Sequence, residues 1–172
     1  DVRLQLFNLY LNRGDYLAAA GLVEDAMQKF PGDPTWPRER ARVAELQKDL
    51  PKQRESWERA VMIAPSPANI ASLADVMLRA GAPNDALKLL RDHADQGNQA
   101  PLLQALRGRA MAEMNRKEEA HNVLLVAADQ CTSLTQFDLV IQQIQKALGE
   151  KETINLIQND LKDISDTWKQ LI

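Results

Sequence analysis

The sequence predicts an all-α chain built from antiparallel helix pairs, and three observations carry that expectation. A turn-plus-helix phrase returns along the chain, as Arg13-Gly14-Asp15-Tyr16-Leu17-Ala18-Ala19, Ala80-Gly81-Ala82-Pro83-Asn84-Asp85-Ala86 and Asn115-Arg116-Lys117-Glu118-Glu119-Ala120. Equivalent residues stand 34 apart, as with Ala26 and Ala60, Pro31 and Pro65, Ala86 and Ala120, and Asn115 and Gly149. Between the turns the apolar residues fall at helical spacing, and most of the seven Gly and eight Pro lie where those stretches end. A helix–turn–helix unit repeated at a fixed period cannot bury its apolar face alone. It does so by stacking on its neighbours, which fixes a repeat architecture.

The elements follow in order. Leu4, Leu6, Phe7, Tyr10 and Leu11 make a first helix that stops at Gly14-Asp15. Tyr16, Ala19, Leu22, Val23, Ala26, Met27 and Phe30 make its partner, ended by Pro31-Gly32. Asp33 is the expected N-cap of the third helix, with Pro34 and Pro37 tolerated in a first turn whose amides lack intrahelical partners. That helix carries Ala41, Val43, Ala44 and Leu46, and Pro51 opens the fourth, with Trp57, Ala60, Val61 and Ile63. Ser66-Pro67 is a cap-plus-proline start for Ile70, Leu73, Ala74, Met77 and Leu78. Pro83 opens Ala86, Leu87, Leu89, Leu90 and Ala94, terminated by Gly97-Asn98. Leu102, Leu103, Leu106, Ala110 and Met111 follow, then Ala120, Val123, Leu124 and Ala127.

Ser133-Leu134-Thr135-Gln136 is a capping box ahead of Phe137, Val140, Ile141, Ile144 and Leu148. After Gly149 a last helix is expected from Glu150 to Leu171, with the narrow seam Ile154, Ile157, Leu161, Ile164, Trp168 and a charged back. A single stripe of this kind suits a terminal cap, because an internal helix has neighbours on both sides. The same spacing also fits a coiled-coil seam, but it is short for one.

Composition narrows the function classes. The net charge of −3 and a pI near 5.4 speak against nucleic acid, which needs a basic face. No apolar run approaches the roughly 20 residues of a membrane span. The single Cys131 excludes an internal disulfide framework. The chain starts at Asp1 inside a helical pattern, which is read as a piece of a longer polypeptide.

These residues resemble the tetratricopeptide repeat (TPR) family. Small residues stand where its helices cross: Ala19 and Ala26, Ala60, Ala74 and Ala86, then Gly108, Ala120 and Ala127, with Leu6, Tyr10 and Pro31 also in place. The match is good over residues 2 to 130 and weak over 133 to 171, where Gln142, Ile154 and Leu161 occupy the small positions. Phe7, Gln53 and His93 depart from the pattern. The resemblance implies a right-handed α-α superhelix of about five antiparallel helix pairs. It would be one solenoid domain over 1-172, with repeats at about 2-32, 34-65, 67-98 and 100-131 and a divergent capping pair at 133-171.

Catalytic and metal schemes find little material. Glu118 and His121 share a helix face, but a carboxylate-bridged metal bundle needs a second Glu-x-x-His and further inward glutamates. Cys131 has no histidine near it in sequence, and no phosphate loop or triad-like motif is present. His93 is expected to be packed, and Trp36, Trp57 and Trp168 to serve as core or cap. No enzyme activity and no cofactor are expected.

In the family the first helix of each pair lines a concave surface. The resemblance therefore implies a peptide groove of Asn8, Leu11, Asn12, Arg38, Arg42, Glu45, Asp75, Leu78, Arg79, Leu106, Arg109 and Glu113. Family members that clamp a chaperone tail use Lys, Arg and Asn across three units, and only Asn8 matches here, so that ligand is not expected. Instead the charges alternate, and Arg42–Asp75–Arg109 and Glu45–Arg79–Glu113–Lys146 are expected as rows on the same concave surface, where opposite charges one helix apart can pair and leave either a peptide site or a self-neutralised, solvated groove. Three functions compete: a protein–protein interaction scaffold with a peptide or protein ligand, an architectural or oligomerisation segment that self-associates through its end helices, and RNA binding, which the acidic balance disfavours.

Overall fold

The computed structural model describes residues 2–94 and 100–160. The chain divides into two compact units, Asp1–Ala80 and Gly81–Ile172. The first holds α1 (Val2–Asn12), α2 (Tyr16–Lys29), α3 (Thr35–Leu46), α4 (Leu50–Ile63) and α5 (Pro67–Arg79). The second holds α6 (Pro83–Asp92), α7 (Pro101–Glu113), α8 (Lys117–Asp129), α9 (Leu134–Leu148) and α10 (Glu150–Asn155), then a π-helical stretch, Leu156–Asp160. Among the described residues there is no strand.

The period is written in the turns. Positive φ recurs after each odd-numbered helix, at Gly14 (71°), Lys48 (58°), Gly81 (70°), Asn115 (63°) and Gly149 (85°), the last with its backbone extended at ψ 166°. Gly14, Lys48 and Asn115 donate their amides to Leu11, Glu45 and Ala112 at 2.9–3.0 Å, and the next amides reach Tyr10, Ala44 and Met111 at 2.8–2.9 Å. This paired back-bonding from a left-handed residue satisfies carbonyls that the helix leaves open. In the first two of these turns an aspartate then starts the return helix. Asp15 accepts from the Ala18 amide at 3.0 Å and Asp49 from Lys52 at 3.1 Å. The Lys48-Asp49 turn has neither Gly nor Asn to mark it.

Other starts differ in detail from expectation. Asp33 accepts from the Thr35 amide at 2.9 Å, so it ties the entry to α3, while Pro34 takes the cap position without a side-chain bond. Ser133 caps α9 by accepting from the Gln136 amide at 3.2 Å, as a capping box requires. The Gln136 side chain, however, accepts from Thr132 N and Oγ1 at 2.9 and 3.0 Å, one residue upstream of the cap. Helix α6 ends at Asp92 with His93 half-buried at its C-cap, and Gly97-Asn98 lie outside the described residues.

Each unit has its own core. In the first, Phe7, Ala19, Val23, Ala26, Met27 and Trp36 interlock between α1, α2 and the start of α3. Phe7, too bulky for the family pattern, is completely buried there. In the second, Ala105, Leu124, Ala127, Ala128, Val140, Ile144 and Leu156 pack α7, α8 and α9 against the C-terminal turn. The small residues matter at the crossing of α7 and α8. A methyl on Gly108 would lie 2.6 Å from Leu124 Cγ and 3.3 Å from the Ala120 carbonyl. Only glycine permits that approach without displacing Leu124.

The C-terminal segment departs from the expected seam. Thr153 and Leu156 face the core, Ile157 packs at its edge, and Ile154 is 46% exposed. The π-helical stretch from Leu156 replaces the uniform α-helix that the seam assumed, since its i→i+5 bonding shifts the facing by about a residue. Leu161, Ile164, Trp168 and Leu171 lie outside the described residues.

Candidate functional site

Helices α1, α3 and α5 place the first part of the expected groove. Asn8, Asn12, Arg42, Glu45 and Arg79 are exposed, and Arg38 and Asp75 are half-buried. Arg42 Nη1 donates to Asn8 Oδ1 at 3.2 Å and stands 3.5 Å from Glu39 Oε2. That Glu39 oxygen is buried without a hydrogen bond, so Arg42 balances its charge at a distance only. Arg38 Nε donates to Asn69 Oδ1 at 2.9 Å, and the buried Asn69 amide donates on to the Ala64 and Ala60 carbonyls at 2.8 and 3.3 Å. Asn8–Arg42 and Arg38–Asn69 therefore join first helices of successive pairs across one helix spacing.

In the first unit the charged side chains bond both across helices and along them. Arg42 is bonded toward Asn8, whereas Asp75 Oδ2 accepts from Arg79 Nε at 2.9 Å on its own helix. Arg79 also donates to Gln53 Oε1 of α4 at 3.0 Å, which gives the unexpectedly polar Gln53 its partner.

In the second unit the same register turns inward. Arg109 is 6% exposed, donating Nε to Glu113 Oε1 at 3.0 Å and Nη1 to Gln143 Oε1 of α9 at 3.2 Å. It is a cross-tie between α7 and α9, and Glu113 is the more exposed end of that pair. Leu11, Leu78 and Leu106 also correct the expectation. All three are buried, because side chains at the edge of the first-helix face fold into the core and offer nothing to a ligand.

Sequence reasoning missed two features. Arg40 sits between α2 and α4, donating Nε to Glu24 at 2.7 Å and Nη1 to Glu55 at 2.9 Å. Burial works against its charge, but the bonds and fields of Glu55 and Glu24 outweigh this and raise its pKa. The second is a cleft of about 440 Å³ between α6 and α7, lined among others by Leu87, Lys88, Arg107 and Met111. The signal was available: Asn84, Lys88 and Arg91 form one stripe at helical spacing, and Gln104, Arg107 and Met111 another.

Cys131 is buried, donates to the Ala127 carbonyl at 3.3 Å, and has its thiol pushed up to about 11 by burial, opposite to what a nucleophile needs. Trp36 is fully buried and Trp57 half-buried, while Trp168 lies outside the described residues. Glu118 is exposed and His121 half-buried, and no group of three metal-ligating side chains occurs among the described residues. No described helix is long and apolar enough to cross a membrane.

No protein-family model matches the chain, and no curated protein does. Solved structures do. YrrB, a TPR protein described as having an unusual peptide-binding site, matches with TM-score 0.62 at 13% identity, over 95% of this chain and 85% of that one. TTC0263, a thermophilic TPR protein of Thermus thermophilus, matches with TM-score 0.62 at 19% identity, over 97% and 94%. A MamA RS-1 double mutant matches with TM-score 0.66 at 12% identity, over 98% and 96%. At these identities the likeness is one of fold. The chain has the all-α helical-pair fold of TPR proteins.

Proposed function

We propose that this chain is a non-enzymatic protein–protein interaction scaffold that takes a peptide segment along the face formed by α1, α3 and α5. One observation carries the reading: Asn8, Asn12, Arg42, Glu45 and Arg79 stand exposed on three first helices that polar side chains already tie together. Such a row offers donors and acceptors of both signs at one helix spacing, which suits an extended chain better than a small molecule. We read the units as one repeat domain closed by a divergent cap. In support, the positive-φ turns keep their spacing from Gly14 to Gly149, through Gly81. The described peptide-binding site of YrrB supports a peptide ligand on this fold.

Panning a random peptide library against the native chain, then locating the bound peptide by photo-cross-linking, tests the reading. Cross-links at α1, α3 and α5 are expected. Cross-links elsewhere, or turnover of a substrate by the purified chain, would sink it.

A second reading has its own observation. Val2, Leu6 and Leu9 are exposed on α1 at i, i+4 and i+7, a continuous apolar stripe, whereas the neighbouring Phe7 points inward. A stripe of this kind favours self-association. Light scattering of native chain and Leu6→Asp/Leu9→Asp separates the two: a dimer lost in the variant supports self-association, and a monomer in both rules it out.

A further inference from the structure

The cleft between α6 and α7 faces away from the Arg109 side of α7. At 100° per residue, Gln104, Arg107 and Met111 lie on the opposite side of that helix from Arg109 and Glu113. Its floor is apolar: Leu90, Leu103 and Met111 are buried beneath it, with Leu87 and Met114 half-buried at the sides. Its rim is cationic. Lys88, Arg91 and Arg107 are exposed, Arg116 closes one end, and no carboxylate lines the space.

The neighbouring acids reach only part of that rim. Arg116 donates to both Glu119 oxygens at 2.8 and 2.6 Å, and Arg91 stands 3.9 Å from Asp92. Glu119 reaches Arg107 through its field alone, so Lys88 and Arg107 keep their hydrogen-bond donors for a ligand, one on each helix, on opposite walls of the cleft. An apolar floor takes leucine-sized side chains, and methionine adapts its shape to them. Two cationic walls select carboxylates flanking those side chains.

We propose that this cleft is a second docking site, for an acidic peptide segment whose leucine-sized side chains enter between α6 and α7 while its carboxylates meet Lys88 and Arg107. A chain of net charge −3 keeps this cationic, apolar-floored surface in one place, which makes it selective for acidic over basic segments. The site is independent of the α1–α3–α5 face.

The test is fluorescence anisotropy with a labelled peptide of alternating leucine and glutamate, beside a matched peptide with glutamine for glutamate. The glutamate peptide is expected to bind, to weaken on added salt, and to lose about tenfold in affinity with Lys88→Glu/Arg107→Glu. Lys88→Gln/Arg107→Gln, checked by circular dichroism, guards against misfolding and is expected to fall between the two. Arg42→Ala is expected to leave binding unchanged, which separates this site from the proposed groove. Absence of binding, equal binding of both peptides, or indifference to both double variants would overturn the proposal. So would charge-dependent binding of phosphatidylserine vesicles or an oligonucleotide without the peptide.

Discussion

Arg42 and Arg109 hold equivalent places in their repeats and meet opposite surroundings. Arg42, on α3, is exposed, bonded to a single exposed amide oxygen and set at a distance from Glu39. Arg109, on α7, is buried under α9, with Glu113 and Gln143 taking its guanidinium. One position in a repeat can therefore be surface in one unit and scaffold in another. The difference lies in the neighbours: Gln143 and Glu113 are among those that accept from the buried Arg109, whereas Asn8 leaves Arg42 open to water. An exposed cation keeps its bonding capacity for a ligand, and a buried one has already used it.

Removal of the buried cation is expected to have the largest effect. Arg109→Ala leaves Gln143 and part of Glu113 without their partner, and is expected to cost about 2–3 kcal/mol in urea unfolding. A loss below about 0.5 kcal/mol would mean the cross-tie is incidental. Next comes the packing beside it. Gly108→Ala gains helix propensity of about 1 kcal/mol but drives a methyl into Leu124, so a net loss of about 1–2 kcal/mol is expected. A rise in stability would show that α7 and α8 separate freely.

The turns that close the two helices differ as well. Lys48 closes the Arg42 helix with φ 58°, a conformation that costs a branched or long side chain about 1–2 kcal/mol; Asn115 does the same for the Arg109 helix more readily. Lys48→Gly is expected to raise stability by about 0.5–1 kcal/mol, and Asn115→Gly by less, measured by thermal unfolding. Equal gains would contradict this account of the two turns. Smallest of all, Arg42→Ala is expected to change stability by less than about 0.5 kcal/mol, as an exposed pair does.

Much of the fold was legible because its signals are local. Gly14, Gly81 and Asn115 announce left-handed turns, since few residues adopt that backbone without strain. Ser66 and Ser133 announce starts because their hydroxyls accept from amides that a first turn leaves open. Lys48 carries no such preference, so its turn was invisible, although Asp49 ahead of Leu50-Pro51 held a usable cap signal. The candidate groove was legible only to the resolution of a helix face. Periodicity assigns a side chain to a side of the helix but not to its inner or outer edge, and Leu11, Leu78 and Leu106 fell inward. Whether Arg109 finds Gln143 depends on the packing of α9, and no local pattern encodes that distance. Of the C-terminal seam, Ile157 packs and Ile154 turns outward, as a π-helical stretch shifts the phase on which any periodic reading relies.

On the proposed function, the exposed face of α1, α3 and α5 binds peptide while Arg109, at the equivalent register of the second unit, ties α7 to α9. Isothermal titration of a library-selected peptide into native chain and Arg42→Ala, beside their urea midpoints, tests it most directly. Affinity is expected to fall about tenfold with the midpoint unchanged, because a charge-assisted bond to the ligand is lost and no internal bond of comparable weight goes with it. Unchanged affinity, or a fall matched by loss of the fold, would contradict it.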